Sequence, residues 1–453
     1  MSAAAGDGGH VAVIDHGKSH VRVLVFDPAG DILAEERCNT PTDDRGPYPA
    51  EDVEALHPFV LSALSGFAAR FAIDAIVPVA HGAAGALIGG DGLVLPVVDY
   101  EGAIPAEIDA AYEAMRPPFG ETASPSLPLG LNLGRQLFMQ QQRFPEKVAQ
   151  ADAFVPLAQY WAFLLSGVMA SEVTSLGAHT DLWDVHRRAP SSLVTGAGWA
   201  RLFPAVRPAG DTLGPIRPDI ARQTGLSPQT RVLTGLHDSN ASLVPYLGTA
   251  KTPFAVVSSG TWVIVMHVGG SPGPLDPAAD MLANVDIFGR PTPSARFMGG
   301  REFAALSNDD APPTLEAARA VIAAGTLALP GFCEQGGPWA HRRGTIVGPV
   351  PERPGARASL ASLYTALVTD NLLTRLGVKG PVFVDGPLAQ NPVWLGAMAA
   401  LTDGVCPQTG ASSAAGAAML ARGVPAAATL SPHPKTLDLG NLRARWMAAI
   451  TAR

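Results

Sequence analysis

The stretch that decides the fold is VAVIDHGKSHVRVLVF, residues 11–26. Its first four residues form an apolar run, and after a polar turn three valines occupy alternate positions. These patterns predict two β-strands joined by a polar loop. A turn built from Pro and Gly at residues 27–31 leads to a third predicted strand around residues 32–34. The chain therefore opens with a strand-loop-strand-turn-strand unit.

The rest of the chain alternates between strand and helix patterns. A helical pattern over residues 53–71 precedes an apolar run at residues 76–80, which predicts an α/β layer. Residues 254–266 repeat the opening pattern of two apolar strands around a small polar turn. An apolar run at 382–384 and an Ala-rich helical pattern at 412–420 follow, and the latter is expected to pack closely.

We interpret this repeat as a duplication. It predicts a first domain over residues 1–248 and a second over residues 249–453, with a cleft between the copies that could enclose a ligand. The length of 453 residues accommodates two or three domains at roughly 150 residues each.

Composition excludes several classes of protein. The hydrophobic fraction of 47% and the modest net charge of -8 exclude bulk disorder. The sequence contains no run of Lys and Arg of the kind that binds nucleic acid. Three distant cysteines, Cys38, Cys333 and Cys406, support neither a disulfide framework nor a zinc site. The sequence shows neither a secretory signal nor a membrane span, so we expect a cytoplasmic protein without a membrane partner.

The loop after the first strand could bind phosphate. Its Gly-Lys-Ser is the tail of a P-loop, but the first glycine of that motif would fall at Ala12, inside the strand. No Gly-x-Gly-x-x-Gly run follows the strand either. A turn of Gly17, Lys18 and Ser19 can still present N–H groups to phosphate, while Asp15 holds hydrated Mg²⁺. A plain hairpin with solvent-facing polar residues remains the alternative.

Two further segments carry groups suited to phosphoryl transfer. The turn with Gly260 and Thr261 occupies the same place in the second copy, so the two turns could clamp a polyphosphate. Asp238 lies among small residues just before the second copy, where it could accept a proton from an attacking hydroxyl. A helix cap or turn role for Asp238 remains open.

The segment HTDLWDVH, residues 179–186, contains four potential metal ligands. No zinc motif has this spacing, and His and Asp are common in turns. We therefore expect a surface loop anchored by Trp183.

Taken together, these loops resemble the FGGY carbohydrate kinases, within the superfamily of sugar kinases, actin and heat-shock chaperone ATPases. The resemblance rests on DHGKSHVR at 15–22, SSGTW at 258–262, GLHD at 235–238, DGPLAQNPVW at 385–394 and the Ala-rich helix at 414–420. Residues 156–184 also look like a family stretch that ends in Glu-Tyr-Thr-Asn. The resemblance covers nearly the whole chain.

The resemblance implies two similar α/β domains of the actin/hexokinase-like (ribonuclease H-like) fold. It implies ATP and Mg²⁺ as cofactors, Asp238 as general base and Asp15 as the metal residue. The residues it implies for nucleotide binding are Asp15, Gly17, Lys18, Ser19, Gly260, Thr261, Gly386 and Asn391. We expect sugar contacts from His81, Tyr100, Glu101 and His237, because polyols are held by polar side chains beside an aromatic face.

Three departures from the family pattern bear on specificity. Lys18 replaces the usual Thr and would place a cation among the phosphates, Asp385 replaces a glycine, and Tyr100-Glu101-Gly102 replaces a Trp/Tyr-Arg/Asn-Asp pattern. The pair His237-Asp238 resembles the pattern of the rhamnulokinase and fuculokinase branch of the family.

We therefore expect an ATP-dependent kinase whose small-molecule partner is a sugar, namely a small ketose, deoxyketose or polyol. The sequence is compatible with a homodimer but does not determine the oligomeric state. The alternative is a catalytically weak sugar- or nucleotide-sensing protein on the same scaffold, and a dehydrogenase is more distant.

Overall fold

The structure is a computed structural model, and its described residues are 9–90, 92–247, 252–271, 273–307, 311–333, 336–350, 352–408, 412–423 and 431–452. The expected domain boundary at 248/249 lies outside them. By its contacts the chain divides into two compact units. The first contains Met1–Gly248, Ala283–Arg290 and Ala411–Ala426, and the second contains Thr249–Leu282, Pro291–Gly410 and Ala427–Arg453.

The strands that the structure describes are short, and many are bounded by glycine or proline turns. In chain order they are β1 His10–His16, β2 His20–Phe26, β3 Ile32–Asn39, β4 Thr42–Asp43, β5 Ala50–Glu51, β6 Ile73–Ala80, β7 Gly85–Gly89, β8 Gly92–Leu93, β9 Val97–Val98, β10 Ala153–Pro156, β11 Trp183–Asp184, β12 Ala189–Pro190, β13 Thr212–Pro215, β14 Arg231–Leu233, β15 Leu236–His237, β16 Phe254–Ser259, β17 Val263–Val268, β18 Met281–Val285, β19 Pro291–Phe297, β20 Leu327–Leu329, β21 Thr345–Val347, β22 Val382–Asp385 and β23 Val405–Pro407.

The described helices range from one turn to more than five turns. They are α1 Val53–Ala68, α2 Ala106–Met115, α3 Phe119–Thr122, α4 Leu133–Arg143, α5 Pro145–Gln150, α6 Leu157–Ser166, α7 Val173–Leu176, α8 Ser192–Gly196, α9 Pro218–Thr224, α10 Asp238–Ala241, α11 Val244–Leu247, α12 Gly299–Ser307, α13 Leu315–Ala324, α14 Ala356–Arg375, α15 Pro392–Leu401, α16 Ser413–Leu420 and α17 Leu442–Thr451. No helix in the described part of the chain is both long enough and apolar enough to cross a membrane.

The first unit is built on a seven-stranded sheet. Its strands follow the order β13-β14-β6-β1-β2-β3, and β15 also pairs with β6. β1 and β2 form an antiparallel hairpin, whereas β1, β14 and β15 each run parallel to β6. The three strands predicted at the start of the chain and the strand before His81 are therefore confirmed.

Both faces of this sheet are covered, which explains the nearly continuous apolar pattern of β1 and β2. Side chains such as Ile14 and Val23 pack into a cluster with α1 and α6 on one face. Val13 and Leu24 pack into a second cluster on the other face, together with the alanines of α16. The predicted Ala-rich helix is therefore present and packs closely within the first unit.

The second unit repeats the arrangement. β16 and β17 form an antiparallel hairpin, β17 pairs with β19, and β16 runs parallel to β22, which is followed by β23. The long helix α14 is buried along most of its length and packs in this unit's core with Trp394 and Trp446. The mixed α/β fold class predicted from the repeat is confirmed.

Gly416 of α16 provides a test of this packing. A Cβ atom at this position would lie 1.9 Å from the carbonyl oxygen of Ala241, so Gly416→Ala forces the two segments apart. We expect it to lower the free energy of unfolding by about 1–3 kcal/mol in urea titrations. Gly66→Ala in α1 is the matched control. That glycine has open space around it and is expected to gain up to about 1 kcal/mol. Equal effects of the two substitutions would contradict the packing.

Candidate active site

The ends of three parallel strands bring the predicted site residues of the first unit together. Ala80, the last residue of β6, is paired with His16 of β1 and with His237 of β15. Parallel strands have their carboxyl ends at the same edge of a sheet. Asp15, His81 and Asp238 therefore lie at one edge.

The turn before β15 requires a glycine. Gly235 has a φ of 76°, and a Cβ atom there would lie 2.2 Å from the carbonyl oxygen of Pro78. Only glycine adopts this conformation without strain. The glycine of the GLHD segment therefore allows β15 to approach β6 and carry Asp238 to the sheet edge.

The two carboxylate oxygens of Asp238 differ in their hydrogen bonding. Its Oδ1 accepts hydrogen bonds from the N–H and Oγ of Ser239, at 2.5 and 3.1 Å, and lies 3.1 Å from Nε2 of His237. Oδ2 receives no hydrogen bond from the described residues, and the side chain is 33% exposed. His237 takes the N-cap position of α10, so Asp238 is the first helical residue rather than the cap. This arrangement fixes the carboxylate and leaves one oxygen to accept a proton.

His237 is held through its ring and through its backbone. Its Nδ1 lies 2.9 Å from Oδ1 of Asn240, whose amide donates to the carbonyl of Val285, and its backbone N–H donates to Oγ1 of Thr174 at 3.1 Å. The Asn240 amide therefore presents its oxygen, so Nδ1 of His237 acts as a donor.

Asp15 is buried at the end of β1. Its Oδ2 accepts from Nη2 of Arg22 at 2.5 Å and from Oγ of Ser413 at 3.2 Å. Burial raises the pKa of Asp15, although Arg22 opposes the rise. Within the described residues no hydrogen bond reaches Oδ1, which is the oxygen that could accept from a water of hydrated Mg²⁺. A bound cation would also favour the ionised carboxylate.

His81 belongs to a buried group that sequence reasoning recognised only in part. Its Nε2 lies 3.1 Å from Oε2 of Glu51, and Nε2 of His16 lies 3.6 Å from the same oxygen. Burial opposes ionisation of Glu51, but its hydrogen-bonded neighbour His81 and the ammonium of Lys18 lower its pKa to about 2. Burial disfavours a charged His81, yet the Glu51 carboxylate outweighs it and raises the pKa of His81.

The His16, Glu51 and His81 side chains come close enough to resemble a metal site, with ligand atoms within 4.8 Å of one another. However, Nε1 of Trp161 donates to Nδ1 of His16 at 2.9 Å. A neutral His16 must then carry its proton on Nε2, where a metal would need a lone pair. Burial lowers the pKa of His16 to about 3, so the ring is neutral. The group is better suited to hydrogen bonding than to holding a metal.

Lys18 points toward this group. Its Nζ contacts Oδ1 of Asp99 and lies 3.4 Å from Oε1 of Glu51 and 4.7 Å from the centre of the Tyr100 ring. The Tyr100 ring also packs edge-on against His81, with centroids 5.5 Å apart. Burial raises the pKa of Tyr100 to about 12, with help from Glu101 and Glu51.

The other predicted residues around the turn have plainer surroundings. The N–H of Gly17 donates to the carbonyl of His20 at 3.0 Å, and Oγ1 of Thr40 donates to the carbonyl of Gly17 at 2.8 Å. Ser19 is exposed. Glu101 is also exposed, and its backbone N–H donates to Asp99. The turn is therefore held by its own backbone and by Thr40.

In the second unit the two predicted nucleotide segments are joined. Oγ of Ser259 donates to the carbonyl of Asp385 at 2.5 Å and accepts from the N–H of Leu388 at 3.0 Å. Gly386 has a φ of 75°, and a Cβ atom there would lie 2.0 Å from the carbonyl oxygen of Ser259. The turn with Gly260 and Thr261 and the turn with Gly386 therefore adjoin within this unit.

Asn391 is used by the fold. Its Oδ1 caps α15 by accepting from the N–H groups of Val393 and Trp394, at 3.1 and 3.0 Å. Its Nδ2 donates to Oγ of Ser362 at 3.0 Å. The side chain thereby fixes the start of α15 next to the Gly386 turn.

The segment 179–186 is not a surface loop, so that prediction is wrong. Asp181 and Asp184 are buried, and Trp183 is only 6% exposed. Asp181 accepts from the Tyr112 hydroxyl at 2.6 Å and pairs with Nε of Arg116 at 2.8 Å. The carboxylate could be buried because a guanidinium compensates its charge.

Sequence reasoning missed the partners that orient the predicted residues. Glu51, Asp99 and Asn240 belong to no motif, and Glu51 ends a two-residue strand. Glu172 lies within residues 156–184, the stretch that resembles a family segment ending in Glu-Tyr-Thr-Asn. It is buried, and its Oε2 accepts from Oγ1 of Thr174 at 2.6 Å. Burial is what distinguishes these carboxylates from ordinary surface residues, and burial is known only once the fold is known.

Two family models match this chain. The N-terminal domain of the FGGY family of carbohydrate kinases matches residues 137–245, and the FGGY carbohydrate kinase C-terminal domain matches residues 251–431. The crystal structure of a carbohydrate kinase from Novosphingobium aromaticivorans is 37% identical in sequence. It covers 98% of this chain and 99% of its own, with a TM-score of 0.90. The chain belongs to the FGGY family of carbohydrate kinases, as its motifs predicted.

More distant relatives agree with this assignment. An L-fuculokinase from Salmonella typhi is 26% identical over 275 residues, and the match spans 57% of this chain and 57% of that protein. The chain thus spans little more than half the length of this curated relative. A ligand-bound xylulose kinase from Lactobacillus acidophilus shares the fold, with a TM-score of 0.75 over 98% of this chain and 96% of its own, at 14% identity.

Glu172 predicts a pH-dependent stability. Burial raises its pKa to about 7 from an ordinary value of 4.5, against the hydrogen bonds of Thr174 and Ser175. The unfolded carboxyl loses its proton at a lower pH than the native one, so stability should fall as pH rises from about 4.5 to about 7. The loss reaches at most about 3 kcal/mol.

Glu172→Gln removes this ionisation. We expect urea titrations between pH 5 and pH 8 to show a flatter dependence of unfolding free energy on pH than in the wild type. All other titrating groups are common to both proteins, so the difference between the two slopes reports on Glu172 alone. Identical slopes would contradict the assignment.

Proposed function

We propose that the protein is an ATP-dependent kinase that phosphorylates a hydroxyl of a small sugar, with Asp238 as the general base. The observation that carries the proposal is the state of the Asp238 carboxylate. One oxygen is held by Ser239 and faces His237, and the other receives no hydrogen bond from the described residues. A base needs such a combination of fixed orientation and open lone pair.

The open oxygen, Oδ2, would accept the proton of the sugar hydroxyl as the hydroxyl oxygen bonds to the γ-phosphorus of ATP. The bond from that phosphorus to the oxygen bridging it to the β-phosphate breaks, and ADP leaves. A carboxylate is a weak base, but this suffices when the transition state is loose and the proton leaves late. Most of the rate enhancement then comes from positioning. His237 and Ser239 supply that positioning by fixing Oδ1.

The nucleotide would be held by main-chain groups. In the second unit the turn of Gly260 and Thr261 adjoins the Gly386 turn, which supports phosphate and adenosine binding there. In the first unit Asp15 would hold hydrated Mg²⁺ through Oδ1. The metal ion, when bound, neutralises charge on the transferred phosphoryl group. This division assigns sugar binding and the base to residues 1–248 and nucleotide binding to residues 249–453.

The acceptor is proposed to be a ketose, deoxyketose or polyol. Relatives named L-fuculokinase and rhamnulokinase support a deoxyketose. His81, Tyr100, Glu101 and His237 are proposed to contact it, because hydrogen-bonding groups and an aromatic ring adjoin there.

A coupled assay of ADP release tests the function. The panel contains the ketoses L-fuculose, L-rhamnulose and D-xylulose, the polyol glycerol and several aldoses, and each is compared with a blank that lacks an acceptor. We expect sugar-dependent ADP release with at least one member. Binding of ATP or sugar by calorimetry without ADP release from any of them would favour a sensing protein instead.

Asp238→Asn should lower kcat by about 10²–10⁴-fold on the best sugar, because the amide cannot take the proton. Circular dichroism and thermal unfolding should be unchanged, since the side chain is partly exposed and the amide oxygen can still accept from Ser239. Steady-state kinetics at saturating ATP provide the measurement.

Asp219→Asn is the matched control. Asp219 is an exposed carboxylate of the same unit whose side chain accepts hydrogen bonds from Arg217. Its replacement should leave kcat within about twofold of the wild type. Normal turnover by the Asp238 variant would refute the assigned base.

A further inference from the structure

The ammonium group of Lys18 is bound by two carboxylates. It contacts Oδ1 of Asp99 and lies 3.4 Å from Oε1 of Glu51. The Glu51 side chain is fully buried, and that of Asp99 is 10% exposed. The sequence pattern predicts that Lys18 belongs to a phosphate-binding turn. In the structure, however, the carboxylates of Glu51 and Asp99 already compensate its charge.

Glu51 connects Lys18 with His81. One oxygen of the carboxylate faces the lysine and the other lies 3.1 Å from Nε2 of His81. Both groups are therefore oriented by one buried side chain. His81 is one of the residues expected to contact the sugar. Glu51 therefore orients both Lys18 and a residue of the expected sugar site.

Tyr100 completes the surface around these two donors. Its ring lies 4.7 Å from Nζ of Lys18 and packs against the His81 ring. The Lys18 side chain is 19% exposed and that of His81 is 10% exposed. An ammonium has three N–H donors, and two carboxylates occupy two of them. Within the described residues no third hydrogen bond of this ammonium is found, so one N–H is left for a ligand beside Tyr100.

Electrostatics favour a neutral ligand at this position. A triphosphate brought to Lys18 would also approach Glu51 and Asp99, and their negative charges would offset the attraction of the ammonium. A sugar hydroxyl carries no charge and can accept the remaining N–H without that penalty. The phosphate-binding role of a P-loop lysine, which acts as a point charge, does not fit these surroundings.

We propose that Lys18 is a specificity-determining residue that binds the acceptor sugar and is not a ligand of the ATP phosphates. This inference rests on the proposed function, in which the sugar lies at His81 and Tyr100. It assigns to the first turn a role in acceptor recognition that the family pattern of this turn does not predict.

Lys18→Met tests the proposal through the separate KM values of the two substrates. We expect the KM of the best sugar in the panel to rise at least 10-fold, because a hydrogen bond from a charged donor is lost. The KM of ATP should change less than threefold. A rise in the KM of ATP, alone or equal to that of the sugar, would overturn the proposal, as would no change in either.

Two further variants guard against a general loss of structure. Lys147→Met removes an exposed lysine of the same unit and should leave both KM values unchanged. If Lys18→Met does not fold, Lys18→Met combined with Asp99→Asn removes both partners of one ion pair and leaves Glu51 with His81. The same split between the two KM values is expected of the double variant.

Calorimetry separates this proposal from the kinase activity itself. Titrations of the wild type and Lys18→Met with ATP, and with L-fuculose, L-rhamnulose, D-xylulose and glycerol, need no turnover. Sugar binding without ADP release would refute the kinase, and a selective loss of sugar affinity in the variant would still support Lys18. A wild type that binds a sugar of the full panel with the same affinity as Lys18→Met would contradict the role of Lys18 and leave the kinase proposal standing.

Discussion

Strand β6 organises the candidate active site because two other strands run parallel to it and end beside it. Its last residue, Ala80, is paired with His16 on one side and with His237 on the other. A slip of one residue in either pairing would turn the side chains of that strand to the opposite face of the sheet. The carboxylates of Asp15 and Asp238 therefore share an edge only while this register holds. The apolar side chains on both faces of the sheet hold it.

Charge compensation explains how so many ionisable groups can be buried at this edge. Removing an ion from water is costly unless a partner of opposite charge or several hydrogen bonds replace the water. Glu51 has Lys18 and His81, and its pKa falls to about 2. Glu172 has only neutral donors, and burial raises its pKa to about 7. Glu51 is therefore a charged group that orients Lys18 and His81, whereas Glu172 is a carboxyl that caps the start of α7.

The two units share a topology but differ in the chemistry at their turns. Each begins with an antiparallel hairpin followed by a parallel strand, β1-β2 with β6 and β16-β17 with β22. In the first unit the strand ends carry carboxylates, imidazoles and a lysine. In the second the corresponding turn contains Ser259, Gly260 and Thr261, and it is fixed by hydrogen bonds to the segment around Gly386. The side chains of the first unit's turns can ionise, whereas those of Ser259, Gly260 and Thr261 are small and uncharged.

The local sequence pattern by itself predicted the hairpins and the α/β class, because strand periodicity and glycine turns depend only on neighbouring residues. It also marked Asp15 and Asp238 as candidate site residues. The identity of the partners was decided by tertiary structure. Lys18 meets Glu51 and Asp99 across 33 and 81 residues of chain, and no spacing rule connects them. The direction of a side chain and its loss of water arise only when distant elements pack, and these two effects set the pKa values of His16, Glu51 and His81.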